Sequence, residues 1–338
     1  MDISYKRQWE TRGSRRRAVP AEAPTSYYNL PVIHKAHWGW LVIIYFFLGG
    51  ISAGSYVIAT VADLFGGPDA RRIRQVGRYL ALGALLPSPV LLILDLGRPE
   101  RFYRMLRVLK LRSPMSVGTW GLTIFGGFCG LSALIQTAED GLFGSFTLPR
   151  RFLLALPSKP IGVLGTLFGF LVGGYTGVLL AATAVPLWAK NYLLLGPLFL
   201  TSAMSTASAA IVLVLVSIRS TSHRTLKRLE RLDLIAIVLE LVLLLAAKAN
   251  LGPIIARPLQ VGKLARVYRW GVLGAGITLP LTLLSVTMLW RKAPARLLGA
   301  LSSLLVLVGG LLLRYVMVEA GHASADDPQA TFAFARKP

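Results

Sequence analysis

From Trp38 to Ala62 no residue is charged, and comparable apolar runs recur along the sequence as far as Val318. A helix needs ~20 such residues to cross a hydrocarbon core of ~30 Å. The expected fold class is therefore all-α: a polytopic membrane protein with eight transmembrane helices near 38–63, 76–96, 114–138, 160–186, 191–218, 232–249, 270–290 and 296–318. Pro87 and Pro89 fall inside the second run and free backbone carbonyls that neighbours or water must meet, so a kink beside a cavity is expected there. In the first run, Gly49, Gly50, Ser52, Ala53 and Gly54 let another helix approach closely. Phe47 to Gly54 (FLGGISAG) is echoed by Phe199 to Thr206 (FLTSAMST), which fits two four-helix bundles arranged as a parallel repeat. The corresponding boundaries are a basic N-terminal tail at 1–36, a first bundle at 37–188, a second at 189–320 and a C-terminal tail at 321–338.

Of the 338 residues, 54% are hydrophobic and 15% charged, with a formal net charge of +22. That charge does not imply nucleic acid, because the Lys and Arg sit in short loops between apolar runs, where headgroups and topology place them. Lys and Arg number 21 on the face that bears the N-terminus against 15 on the other, which favours a cytoplasmic N-terminus in a multi-pass inner-membrane protein. The basic first segment has no apolar stretch before Trp38, so no cleavable leader is expected. The one cysteine, Cys129, can form neither an internal disulfide nor a cysteine-ligated iron–sulfur cluster. His34, His37, His223 and His322 all lie at run edges or in loops, which makes a bis-histidine haem in the bilayer hard to build. No metal, haem or iron–sulfur cluster is expected here.

The chemistry-bearing stretch is 87–120, PSPVLLILDLGRPERFYRMLRVLKLRSPMSVGTW. Asp95 ends an apolar run where lipid gives way to water, and Arg98 follows at a spacing that can pair them on a helix. Pro99 stops that helix; Arg101, Arg104, Arg107, Lys110 and Arg112 make the loop basic, and Pro114 restarts a helix near its first turn. The pair reads either as a proton-handling site or as an ion-pair cap at the headgroup boundary. His37, Trp38 and Trp40 form an interfacial aromatic anchor. Glu240, near the middle of the sixth run, must face the bundle interior because an intramembrane charge costs ~2.5–3.5 kcal/mol even on mild scales. It is either a hydrogen-bonded structural group or, with Arg314 in the eighth run, part of a proton path.

HWGW (37–40), YFFLGGISAGS (45–55), DLGRPERF (95–102), SPMSVGTW (113–120) and GGYTGVLLAATAVPLW (173–188) together resemble the NrfD family, the membrane subunits typified by polysulfide reductase. The resemblance implies a quinone-binding subunit without redox centres of its own, exchanging electrons between menaquinone or ubiquinone and a ferredoxin-like four-cluster iron–sulfur subunit. Beyond that partner stands a catalytic protein, often a molybdopterin enzyme. By position, Tyr175 matches a family tyrosine at the quinone and Asp95 an acidic position on the proton route, with Arg98 beside it. Tyr45 stands where the polysulfide reductase subunit has a histidine at the quinone. A phenol can donate to a quinone carbonyl, but with an ordinary pKa near 10 it shuttles protons less readily than imidazole. His37 is the substitute donor, and Trp38 and Trp188 complete the expected quinone surroundings. Two other function classes stay open: a secondary transporter, suggested by Glu240 and the parallel echo, and a purely structural membrane anchor.

Overall fold

The computed structural model describes residue 33 and residues 36–144, 147–218, 223–289 and 295–335. Most of the basic tail expected at 1–36, with His34, lies outside these, as do Trp290 and residues 336–338. Every regular element among the described residues is helical. α1 is Trp40–Phe65, α2 Arg71–Leu85, α3 Pro87–Asp95 and α4 Pro114–Glu139. α5 (Thr147–Ala155) precedes α6 (Ser158–Ala181), α7 (Pro186–Lys190) and α8 (Tyr192–Ser217). α9 is His223–Ile255, followed by the short α10 (Arg257–Gln260) and α11 (Gly262–Arg266), a π-helix at Val267–Thr278, α12 (Leu279–Leu289), α13 (Ala295–Asp326) and α14 (Pro328–Ala335).

Seven of these helical stretches are long and apolar enough to cross a membrane: 40–65, 68–95, 114–139, 158–181, 192–217, 262–289 and 296–326. The protein is thus a multi-pass, all-helical membrane protein. The sixth expected run, 232–249, lies in α9, which is not among the seven. That helix carries Arg224, Lys227, Arg228, Glu230, Arg231, Asp233, Glu240 and Lys248, and it breaks at Gly252 (φ +71°). Its ends are nonetheless tied to opposite ends of the molecule. Thr225 Oγ1 donates to Asp69 O (3.1 Å) and Arg228 Nη1 to Gly66 O (3.2 Å), beyond the end of α1. Asn250 Nδ2 donates to Lys190 O (2.8 Å), near the start of α8. The end holding the start of α1 is called proximal below, and the other distal.

The second span is divided where its prolines fall. Pro87 and Pro89 cannot donate to Gly83 and Leu85, so α2 and α3 are divided at Leu86, whose dihedrals stay helical (φ −52°, ψ −44°), and the buried Ser88 hydroxyl donates to Ala84 O at 3.1 Å. Pro114 opens α4 at its first turn, and Ser113 Oγ accepts from Ser116 N (3.4 Å) as its cap. Between α1 and α2 the backbone turns on Gly66 and Gly67. Gly67 has φ +64°, and a Cβ on Gly66 would sit 2.2 Å from the Ala70 methyl. Residues 321–335, expected as a tail, instead continue α13 to Asp326 and form α14, which packs on α7, α9 and α13 with Ala330 buried.

α1 and α8 are the most enclosed spans, with 78% and 67% of their apolar windows buried, and they pack on each other at the centre. α1 also packs on α2, α3, α6 and α13, and α8 on α2, α6, α9 and α13. The two echoed segments therefore meet. A Cβ on Gly54 would lie 2.5 Å from Ala203 O and 2.6 Å from Ala207 Cβ, so the backbones touch with no room for a side chain. Gly54→Leu is expected to destabilise the protein by about 3 kcal/mol and to broaden its size-exclusion peak. Gly83→Leu, at an exposed site where a Cβ meets no atom within 4 Å, should leave the peak unchanged.

Candidate functional site

The proximal end gathers the starts of α1 and α4 and the ends of α3 and α6. His37 is exposed just before α1, and Asp95 is half-buried as the last residue of α3. The backbone then leaves helical geometry at Leu96 (φ −70°, ψ +135°). Arg98 accordingly does not stand one helical turn from Asp95. It is exposed at the start of the 3-10 helix Pro99–Leu106 and forms no ion pair with Asp95. The titratable side chain that bears on Asp95 is His37, which lies just before α1. A carboxylate at the C-terminal end of a helix opposes the macrodipole, so the cap reading loses both its ion pair and its electrostatic rationale.

The basic loop beyond is exposed at Arg101, Arg104, Arg107, Lys110 and Arg112, with Tyr103 and Leu111 exposed among them. Lys110 N donates to Ser116 Oγ (2.9 Å) and Ser116 Oγ to Val108 O (3.3 Å), which ties the loop back to α4.

Tyr175, near the end of α6, lays its ring on Gly118 of α4 and donates its hydroxyl to Pro114 O. A Cβ on Gly118 would fall 2.2–2.3 Å from that ring, so SPMSVG and GGYTG are one packing unit: the glycine of the first makes the seat for the tyrosine of the second. Tyr45 is buried in α1, which packs on α6, the helix that carries Tyr175. Tyr45, Tyr175, Asp95 and His37 thus belong to the same end of the first four spans.

Trp38 and Trp188 also meet, but inside the protein. Their rings stack at 5.4 Å and 27°. Trp188 is fully buried, donates Nε1 to Met317 O (2.7 Å), lies against Gly321 and meets the His322 ring edge-on at 5.8 Å. This stack latches the entry to α1 onto α13. It continues as a file of aromatic contacts, Trp38 to Phe46 (6.5 Å), Phe46 to Tyr45 (5.7 Å) and Phe46 to Phe199 (6.0 Å).

Phe199 in turn faces Arg314, whose guanidinium carbon is 5.5 Å from the ring centre. Arg314 is 1% exposed. It donates to Ser202 Oγ and to Gly310 O (2.9 Å), and it fits because Gly50 and Gly310 present no side chain to it. Glu240, also buried, is the acidic residue nearest in effect: it bears on Arg314 without an ion-pair contact and shares Ser202 with it. Two further buried carboxylates are not singled out by the sequence patterning. Asp233 accepts from Ser205 Oγ (2.7 Å), and Glu230 lies against Thr287 and Gly299. Positions 230, 233 and 240 recur at helical spacing on one stripe of α9, facing Ser202, Ser205 and Ser208 of α8, the last donating to Leu229 O (3.0 Å). That spacing is the signal that could have revealed them.

The distal end, where sequence points only to loop charge, holds a compact ion network. In it Asp63 accepts from Arg74 (2.7 Å) and Arg78 (2.9 Å), and Glu139 from Arg74 (2.7 Å). Gln136 takes a further Arg78 bond (3.2 Å), and Asp140 accepts from Gln75 (2.9 Å) and Tyr79 (2.8 Å). Arg78 is itself buried, so this network knits α1, α2 and α4 where the spans end. Among the described residues, no three His, Cys, Asp or Glu side chains are grouped to hold a metal ion.

Three curated proteins are similar to this one along most of its length. It is 28% identical over 303 residues to a polysulfide reductase polypeptide of Wolinella succinogenes, a match covering 84% of this protein and 94% of that one. It is 28% identical over 311 residues to protein NrfD of Escherichia coli (84% and 94%), and 25% identical over 323 residues to a selenate reductase subunit of Mesobacillus selenatarsenatis (83% and 73%). The family model described as "Polysulphide reductase, NrfD" matches residues 31–325, from before the first span to the end of α13, and by that match the protein belongs to the NrfD family.

Proposed function

We propose that this protein is the quinone-binding membrane subunit of a reductase complex, passing electrons between the quinone pool and an iron–sulfur partner with proton exchange at its proximal end. The observation that carries this reading is the seat of Tyr175, whose ring lies on Gly118 and whose hydroxyl donates to Pro114 O at the same end as the half-buried Asp95 and the exposed His37. Bound, a quinone supplies the two-electron chemistry that no residue of this protein has. The protein's own tasks are then to orient the ring and to move protons. Tyr175 is preorganised by its seat on Gly118, and its hydroxyl can exchange Pro114 O for a ligand oxygen. Tyr45 offers a second phenol from α1, while Asp95 and His37 relay protons to water.

In the same reading α9 crosses the membrane as the eighth span, giving two four-helix halves, and Glu240 with Arg314 forms an inner proton path. The names of the relatives, which include polysulfide and selenate reductases, support a catalytic partner for this protein as well. The iron–sulfur subunit docks at the proximal end, where the exposed Arg98–Arg112 loop offers charge to an acidic surface. The excess of Lys and Arg on the N-terminal face favours a cytoplasmic N-terminus in the inner membrane.

Extraction of the purified protein followed by mass analysis of its lipids tests the reading directly. Retained menaquinone or ubiquinone is expected, and its absence from protein prepared in mild detergent would leave a structural anchor. For the retained site, Tyr175→Phe should weaken binding of a quinol analogue about tenfold, as loss of one hydrogen bond of ~1.4 kcal/mol implies. Tyr45→Phe should weaken it less. The reverse order in a fluorescence titration would show that Tyr45 is the principal donor.

A further inference from the structure

At the distal end a groove of about 250 Å³ opens between the last two turns of α1, the first turn of α2 and the first turns of α9. Its walls are apolar, including Ile58, Val61, Phe65, Ile73 and Leu232, and Phe65 at its mouth is 81% exposed. The one charged residue in the lining is Arg228. It is exposed, and its Nη1 donates to Gly66 O at 3.2 Å, an arrangement that leaves other donors of the guanidinium fork for a ligand.

In the segments that line it, next to Ala70 and Arg228 in sequence, Arg71, Arg72, Lys227 and Arg231 are exposed, with Asp69 as the exposed acid among them. An apolar trough below and a cationic rim above sit where the α1 span ends and the polar Gly66–Ala70 turn begins.

We propose that this groove is a site for one anionic phospholipid of the surrounding bilayer. Its acyl tail lies along Ile58, Val61 and Phe65 and its phosphate sits on Arg228, wedged between the α1–α2 pair and α9. Charge complementarity selects this occupant. Guanidinium forks pair with phosphate oxygens in two-bond geometry, and basic pockets between membrane helices suit acidic headgroups. A second copy of the protein would bring more positive charge to an already cationic rim. A free phosphate would leave the apolar wall exposed. The lipid fills space that side chains leave open between the two sets of helices, so it should also stabilise the fold.

The test uses the full-length protein purified in mild detergent, titrated separately with phosphatidylglycerol, phosphatidylcholine and inorganic phosphate, with native mass spectrometry and thermal melting as readouts. One phosphatidylglycerol per protein molecule is expected to survive desolvation and to raise the melting temperature, while phosphatidylcholine and inorganic phosphate do neither. Arg228→Gln should weaken phosphatidylglycerol retention about tenfold. Val61→Trp, at an exposed position that tolerates bulk, should abolish it by filling the trough while leaving the lipid-free melting temperature unchanged. Arg151→Gln, on the exposed face of α5 away from the groove, should change nothing. Equal retention of phosphatidylglycerol and phosphatidylcholine, retention undiminished in both groove variants, or a full effect from inorganic phosphate would each overturn the proposal.

Discussion

Arg314→Leu is expected to cost about 3 kcal/mol, because it strips buried hydrogen-bonding groups of their partner and removes one of two buried ionisable groups that bear on each other. The substitution deletes the bonds to Ser202 and Gly310 and the contact with the Phe199 ring, and it leaves Glu240 with Ser202 but without the cation that bears on it. Gly50 and Gly310, which stand without side chains beside a guanidinium, would then border a void. The protein carries its own reporter, because Cys129 is its single cysteine and is fully buried in α4. A thiol-reactive fluorophore therefore reads unfolding directly during a thermal ramp. The double variant Arg314→Leu/Glu240→Leu should recover much of the loss, since removing both partners relieves the uncompensated charge. A single variant that melts with the wild type would show that Glu240 and Arg314 are not coupled. A double variant as unstable as the single would place the cost in packing instead of charge.

Asp95→Asn should leave assembly intact yet slow quinol-linked electron transfer about a hundredfold, the lower part of the range for losing a positioned proton-transfer group. The substitution preserves size and hydrogen-bonding capacity and removes only the ability to titrate. Because Asp95 sits at the C-terminal end of α3 without a paired arginine, its negative charge does nothing for the helix. Asparagine there should melt no lower than the native protein. His37→Gln is expected to slow turnover by less, since an exposed imidazole can be replaced by water. Steady-state turnover with a soluble quinol analogue, measured from acid to alkaline pH on the purified complex, decides the matter. Turnover equal to wild type at every pH would remove Asp95 from the proton route.

The positions of the spans were legible from the residues alone because a bilayer makes the decision local. With no water to satisfy the backbone, a long enough apolar run must be helical wherever its neighbours lie. The division between α2 and α3 at Leu86 and the start of α4 at Pro114 were legible for the same reason, since proline acts on its own backbone and the turn before it. The seat of Tyr175 on Gly118 lay in two motifs that could be read separately, but only the packing of α4 on α6 joins them. The status of α9 was less plain: hydropathy picked out 232–249, while the carboxylates Glu230 and Asp233 passed unnoticed because their cost depends on what faces them.

That dependence marks what tertiary structure alone decided. Helical spacing offered Arg98 as the partner of Asp95, yet it holds only while a helix continues, and the backbone turns extended at Leu96. The titratable group that the fold brings to the same end as Asp95 is His37, from the segment before α1, on which α3 packs. Trp38 and Trp188, read separately in the sequence, are stacked on each other by the fold, with Trp188 buried against α13. A residue's propensity and its distance from lipid are properties of its own stretch of sequence. The partner of a buried charge or ring is set by which helices become neighbours, and that follows from glycine-sized close approaches such as Gly54 on Ala203, whose meaning appears only once both helices are in place.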